Sequence, residues 1–155
     1  MRKTTSILFL LCLYCVAVFS VRAQQSEVKT PPNPDYKAGQ KWSYRTRPGE
    51  ENSYLIIVKV ENDPKLGTIV HIALNGLKMK NRHSANGFSE SANHLPFSKE
   101  AIDKSVSKLL KESVDLPAFE EGYRLWREAF EAKRAGIYTI SVSEAVSVME
   151  ATLNR

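Results

Sequence analysis

Ser53-Tyr54-Leu55-Ile56-Ile57-Val58-Lys59-Val60-Glu61 is crowded with β-branched and aromatic side chains and contains neither glycine nor proline. Such a run fits a pleated surface and predicts a strand. Upstream, residues 41–47 alternate Trp42, Tyr44 and Thr46 with Lys41, Ser43, Arg45 and Arg47, the period of a half-buried strand. Between the two, Arg47-Pro48-Gly49-Glu50 sets proline and glycine at the central positions of a type II turn, so together they predict a hairpin. Asp63-Pro64 and Gly67 mark the next reversal, ahead of a third strand over residues 68–74. Asn75-Gly76 is either a two-residue hairpin turn leading into residues 77–80 or a bulge within one long strand. Residues 81–93 carry no periodicity and predict a surface loop, with residues 94–97 as a short returning strand.

The second half changes period. Ser98 caps a predicted helix with Ile102, Val106, Leu109 and Leu110 on one face. Pro117 opens a second helix, in which Phe119, Tyr123, Trp126 and Phe130 form an aromatic stripe expected to be core. Gly136 ends it, and residues 137–140 read as a short strand. Ser141-Val142-Ser143-Glu144 is a capping box opening a last helix that turns Val142, Val146, Met149 and Leu153 inward. Strands first and helices later predict an α+β fold: an antiparallel sheet of about three to five strands, with three helices on one face.

The first 23 residues read as a secretory signal peptide. Arg2 and Lys3 precede an apolar run over residues 7–21, too short to span a bilayer, and Ala23 stands at the expected cut before Gln24. The working chain is then residues 24–155. Residues 24–35, with Pro31, Pro32 and Pro34, read as a flexible leader, and residues 36–155 as one domain. The expected setting is the periplasm or the exterior, soluble after cleavage and not inserted in the membrane.

Cleavage alters the chemistry on offer. Cys12 and Cys15 both leave, so the mature chain has no disulfide and no thiolate. Losing Arg2, Lys3 and Arg22 brings the net charge from +5 to +2, which is no nucleic-acid footprint. The phosphate-binding glycine loops, H-E-x-x-H and G-x-S-x-G are all absent. Ser105-Val106-Ser107-Lys108 fits S-x-x-K, but the S-D-N and K-T-G motifs that accompany it are missing. His71, His83 and His94 share no predicted element, so neither a metal site nor a cofactor is expected. Glu50-Glu51 and Glu120-Glu121 are explained by a turn and a helix start.

The candidate site lies on the sheet. Alternation puts Lys41, Ser43, Arg45 and Arg47 on one side of the first strand. The same-parity sets are Leu55, Ile57, Lys59 and Glu61 in the second, and Ile69, His71, Ala73 and Asn75 in the third. One face then gathers Arg45, Lys59 and His71 beside Leu55 and Ile57, with Arg47 at its rim. Such a surface would suit a carboxylate, a phosphate or an acidic peptide. The competing account is that cations on an edge strand discourage aggregation.

Gly39-x-x-Trp42-x-Tyr44, Arg47-Pro48-Gly49-Glu50, Gly122-Tyr123-x-x-Trp126-Arg127 and Gly136-Ile137-Tyr138-Thr139 together resemble a family of small exported bacterial proteins of unassigned function. The resemblance implies a bacterial, extracytoplasmic setting and no particular activity. The expected function is non-catalytic binding, inhibitor- or immunity-like with a protein partner, or capture of a small anionic ligand. The alternatives are a small hydrolase with His71 or His94 as general base beside Glu90, and an accessory subunit of an envelope complex marked by a large exposed apolar patch.

Overall fold

The computed structural model describes residues 34–155. The segment expected to be a signal peptide and residues 24–33 of the expected leader lie outside the described residues. Five strands form one antiparallel sheet: β1 (Lys41–Tyr44), β2 (Tyr54–Asp63), β3 (Gly67–Lys80), β4 (Phe88–Ser98) and β5 (Val106–Lys111), in the order β4-β3-β2-β1-β5. The helices are α1 (Lys99–Ser105), α2 (Glu120–Glu131) and α3 (Val142–Leu153). The α+β class and the antiparallel sheet are as the sequence predicts. Among the described residues no helix is long and apolar enough to cross a membrane.

The predicted hairpin of β1 and β2 forms. Gly49 takes a φ of +84°, and Glu50 donates its N–H to the Arg47 carbonyl at 3.1 Å. Trp42 pairs with Leu55, and both point into the main core. Asn75-Gly76 resolves as a bulge inside β3, where the register with β4 shifts between Asn75 and Met79. Gly76 has a φ of +76°, and a Cβ there would stand 3.2 Å from the backbone at Asn52 and Ser53. Only glycine meets both demands.

Three expectations are corrected. The loop after β3 is short, because β4 begins at Phe88 and residues 94–97 are the end of an eleven-residue strand. The helix capped by Ser98 stops at Ser105, and Val106, Leu109 and Leu110 belong to β5. Lys108 therefore does not share a helix with Ser105, whose hydroxyl is spent on the Ala101 carbonyl and the Val142 N–H. β5 then covers β1 on the side away from β2, so β1 is an interior strand and its cations guard no edge.

The helices cover both faces, not the single face that the sequence predicts. On one, Ala101 and Ile102 of α1 and Val142, Ala145 and Val146 of α3 pack with Val70, Ile72 and Leu74. After β5 the chain crosses over: Val114 and Phe119 cover Ile56, Val58 and Ala73, and α2 sets Tyr123 and Trp126 against His71. Residues 136–138 bring it back around the edge of β4. There Tyr138 bridges Phe97 in parallel, donating to the Pro96 carbonyl and accepting from the Ser98 N–H. The capping box at Ser141 and Glu144 then starts α3 as predicted.

Candidate binding site

The site grows from an irregularity in β2. Its pairing with β3 slips between Ile57 and Lys59, leaving Val58 as an extra residue. Alternation is therefore interrupted. Leu55 and Ile57 enter the main core, while Lys59 and Glu61 emerge on the opposite face, under α2. The expected parity set is split by this bulge. Lys59 and His71 nevertheless meet as direct cross-strand partners.

His71 is completely buried on that face. Its Nδ1 lies 2.9 Å from Nε2 of His94, and its Nε2 lies 3.3 Å from Oε1 of Glu61. Glu61 also receives the Tyr123 hydroxyl at 2.9 Å and an Arg127 N–H at 3.2 Å, with Lys59 Nζ at 4.0 Å. Tyr123 and Trp126 close over both imidazoles, with ring centroids 4.9–5.9 Å apart. Gly122 lets α2 come this close, since a Cβ there would fall 2.8 Å from Cβ of His94. Trp126 is the buried member of the aromatic stripe, while Tyr123, Phe119 and Phe130 are half-buried.

Partner chemistry fixes the protons. Glu61, accepting from Arg127 and Tyr123, offers His71 acceptors only, so His71 donates from Nε2 and accepts at Nδ1. His94 must then donate from Nε2, which leaves its Nδ1 a bare lone pair. Burial, reinforced by the neighbouring His94, lowers His71 to about 4, against the pull of Glu61. Burial likewise lowers His94 to about 4. Both imidazoles are neutral at pH 7.

His94 borders a cleft of about 460 Å³ between β4, α2 and residues 135–138, walled by Leu95, Pro96, Trp126, Gly136 and Tyr138. The Trp126 indole N–H is spent on the Gly136 carbonyl at 2.8 Å. Among the described residues Nδ1 of His94 has no partner, whereas every wholly buried polar side-chain atom has one, so Nδ1 is not sealed off by them.

The four sequence candidates do not share one surface. Arg45 is exposed beyond the end of β1, where its backbone N–H donates to the Ser105 carbonyl. From the pairing of Ser43 with Tyr54, it stands roughly 20 Å along the strand direction from Lys59. Arg47 grips Glu50 through two hydrogen bonds, of 2.9 and 2.7 Å, and lies 3.1 Å from Glu150 of α3. Burial would raise the Glu50 carboxyl, but Arg47 and the Lys78 N–H more than reverse that and hold it below the usual range. Only Lys59 and His71 come together, and their neighbour is an anion.

Among the described residues no three histidine, cysteine, aspartate or glutamate side chains are grouped to hold a metal ion. No family model, curated protein or solved structure matches the chain.

Proposed function

We propose that the chain is an exported binding protein without catalytic activity, working in the periplasm or outside the cell, and that the His94 cleft holds its partner. Export rests on the amino-terminal pattern of charge, apolar run and small residue before Gln24. The resemblance to small exported bacterial proteins points the same way. The observation that carries the binding half is the cleft, whose volume lies within the range of small-ligand and side-chain pockets. Its exposed polar contact is held in place by hydrogen bonds running back to Glu61.

A protein partner inserting a side chain fits better than a small anion. Arg47 is already neutralised by Glu50 and Glu150, Lys59 stands beside Glu61, and Arg45 is remote from both. The accessory-subunit reading draws less support. Leu66, Phe88, Leu110, Leu116 and Leu125 are exposed on five separate elements or loops, and only Ile140 and Val148 share a groove.

One observation favours the hydrolase alternative: Glu61, His71 and His94 form a hydrogen-bonded relay ending at an accessible nitrogen. Against it, the residues lining the cleft include no serine, threonine or acidic side chain, and a base lowered to about 4 is weak at neutral pH.

The test is capture from native envelope extract by the tagged, exported chain, beside its Gly136→Leu variant. Gly136 lines the cleft and a Cβ there meets nothing within 4 Å, so the position has open space in which leucine can narrow the cleft. Saturable capture lost in the variant is the expected result. Capture indifferent to the variant removes the cleft as the recognition site. Turnover of an ester or amide that rises through about pH 4 would favour the hydrolase instead.

A further inference from the structure

We infer that the cleft receives a flat, uncharged group through an N–H or O–H donor directed at Nδ1 of His94, and rejects carboxylates and phosphates. The inference rests on reading the cleft as a binding site and supplies the chemistry of what enters it.

The polarity of the relay is set far from the cleft. Arg127 and Tyr123 both donate to Glu61, which fixes the proton of His71 on Nε2 and turns its Nδ1 toward His94 as an acceptor. His94 answers by donating from Nε2. Reversing the chain would set a lone pair of the fully buried His71 against the carboxylate. His94 therefore offers the cleft a lone pair and not a proton.

The walls exclude the opposite choice. Leu95, Pro96, Ile137 and the faces of Trp126 and Tyr138 are apolar, and no lysine or arginine is among the lining residues. The cations beside the relay, Lys59 and Arg127, are turned to Glu61. An anion entering would shed its water, find no counter-charge and meet a lone pair backed by a carboxylate. A planar ring loses little by desolvation and packs against Trp126 and Pro96. A ring N–H or phenolic O–H also satisfies the one acceptor that desolvation would otherwise strand.

Three probes of similar size separate the possibilities: indole, benzofuran, which keeps the shape but has no donor, and benzoate. Each is titrated into the exported chain while the imidazole nitrogens are followed by ¹⁵N NMR. The free protein should show His94 protonated on Nε2 and bare on Nδ1. Indole should shift Nδ1 saturably and bind at least tenfold tighter than benzofuran, benzoate should give no saturable shift, and Gly136→Leu should abolish the indole response. Indole binding no tighter than benzofuran, benzoate competing for the cleft, or a proton on Nδ1 of free His94 would each overturn the inference. These readouts involve no cellular partner, so they stand or fall separately from the capture experiment.

Discussion

Lys133 carries the least comfortable backbone of the described residues: it is the one non-glycine with positive φ, at +57°. It follows the last turn of α2, where its N–H donates to the Phe130 carbonyl and that of Arg134 to Ala129, the pattern that closes many helices and favours glycine at this position. The left-handed conformation costs an L-residue roughly 1–2 kcal/mol, partly offset by the greater freedom of glycine when unfolded. Lys133→Gly should therefore stabilise the protein by about 0.5–1 kcal/mol, read as a raised urea midpoint with unchanged slope. Arg47 makes a second residue-scale case, because sequence and structure give it different work. Its partner Glu50 is 3 % exposed and also accepts from the Lys78 N–H at 2.7 Å. Removing one member of a buried pair leaves the other uncompensated, so Arg47→Ala should cost about 3 kcal/mol in stability. Ligand or partner affinity, measured well below the unfolding midpoint, should not move. A stable variant with lost affinity would return Arg47 to the binding surface.

At the scale of elements, the contact of α2 with β4 turns on one glycine. Alanine is the better helix former by about 1 kcal/mol, so propensity alone makes Gly122→Ala stabilising. The added Cβ, however, would stand 2.8 Å from Cβ of His94 on β4, close enough that something must shift. Overpacking of this kind typically costs about 1–3 kcal/mol, and the variant should be destabilised despite its helix propensity. Gly136→Ala, which meets nothing, should be close to neutral. The same element shows where the sequence stops being legible. The hairpin, the Ser98 cap and the Ser141-Glu144 capping box rest on local chemistry and could be read directly. The end of α1 could not, because Ile102 and Val106 satisfy helical spacing while Val106 is claimed by pairing with Tyr44 of β1. The covering of both faces had a trace in the unbroken apolar run of residues 55–58, the mark of a strand buried on two sides. The bulge at Val58 had none, since residues 55–58 and Val60 are apolar in both parities and either register keeps the core filled. Without it, Glu61 could not be placed under Tyr123, and the relay was invisible. Gly122 inside a helical pattern was the remaining clue that α2 lies unusually close to something.

For the molecule as a whole, the buried relay ties folding to pH. His71 and His94 lie near 4 in the folded protein, while an unfolded histidine titrates near 6.5. Between those values the unfolded chain binds more protons than the folded one, so stability rises with pH and falls on acidification. The groups facing the pair are Glu61, Lys59, Tyr123, Trp126 and Arg127, and only Glu61 would welcome a proton on His71. Carboxylates held low in the fold, such as Glu50, act in a different window. Their contribution is present above about 4.5 and is lost only below it. Acid unfolding should accordingly proceed in two stages. Stability read from urea titrations should fall from pH 6.5 toward 4, by up to about 3 kcal/mol for each imidazole, and go on falling below that as Glu50 loses its charge. Replacing His71 with phenylalanine and His94 with leucine removes the groups that titrate in the upper stage. Urea titrations at half-unit steps from pH 7 to 3.5 on both proteins should show the upper slope in the native chain and its absence in the double variant. A native chain whose stability stays level from pH 6.5 to 5 would mean that the imidazoles are not neutral in the fold, and the bare acceptor at His94 would go with them.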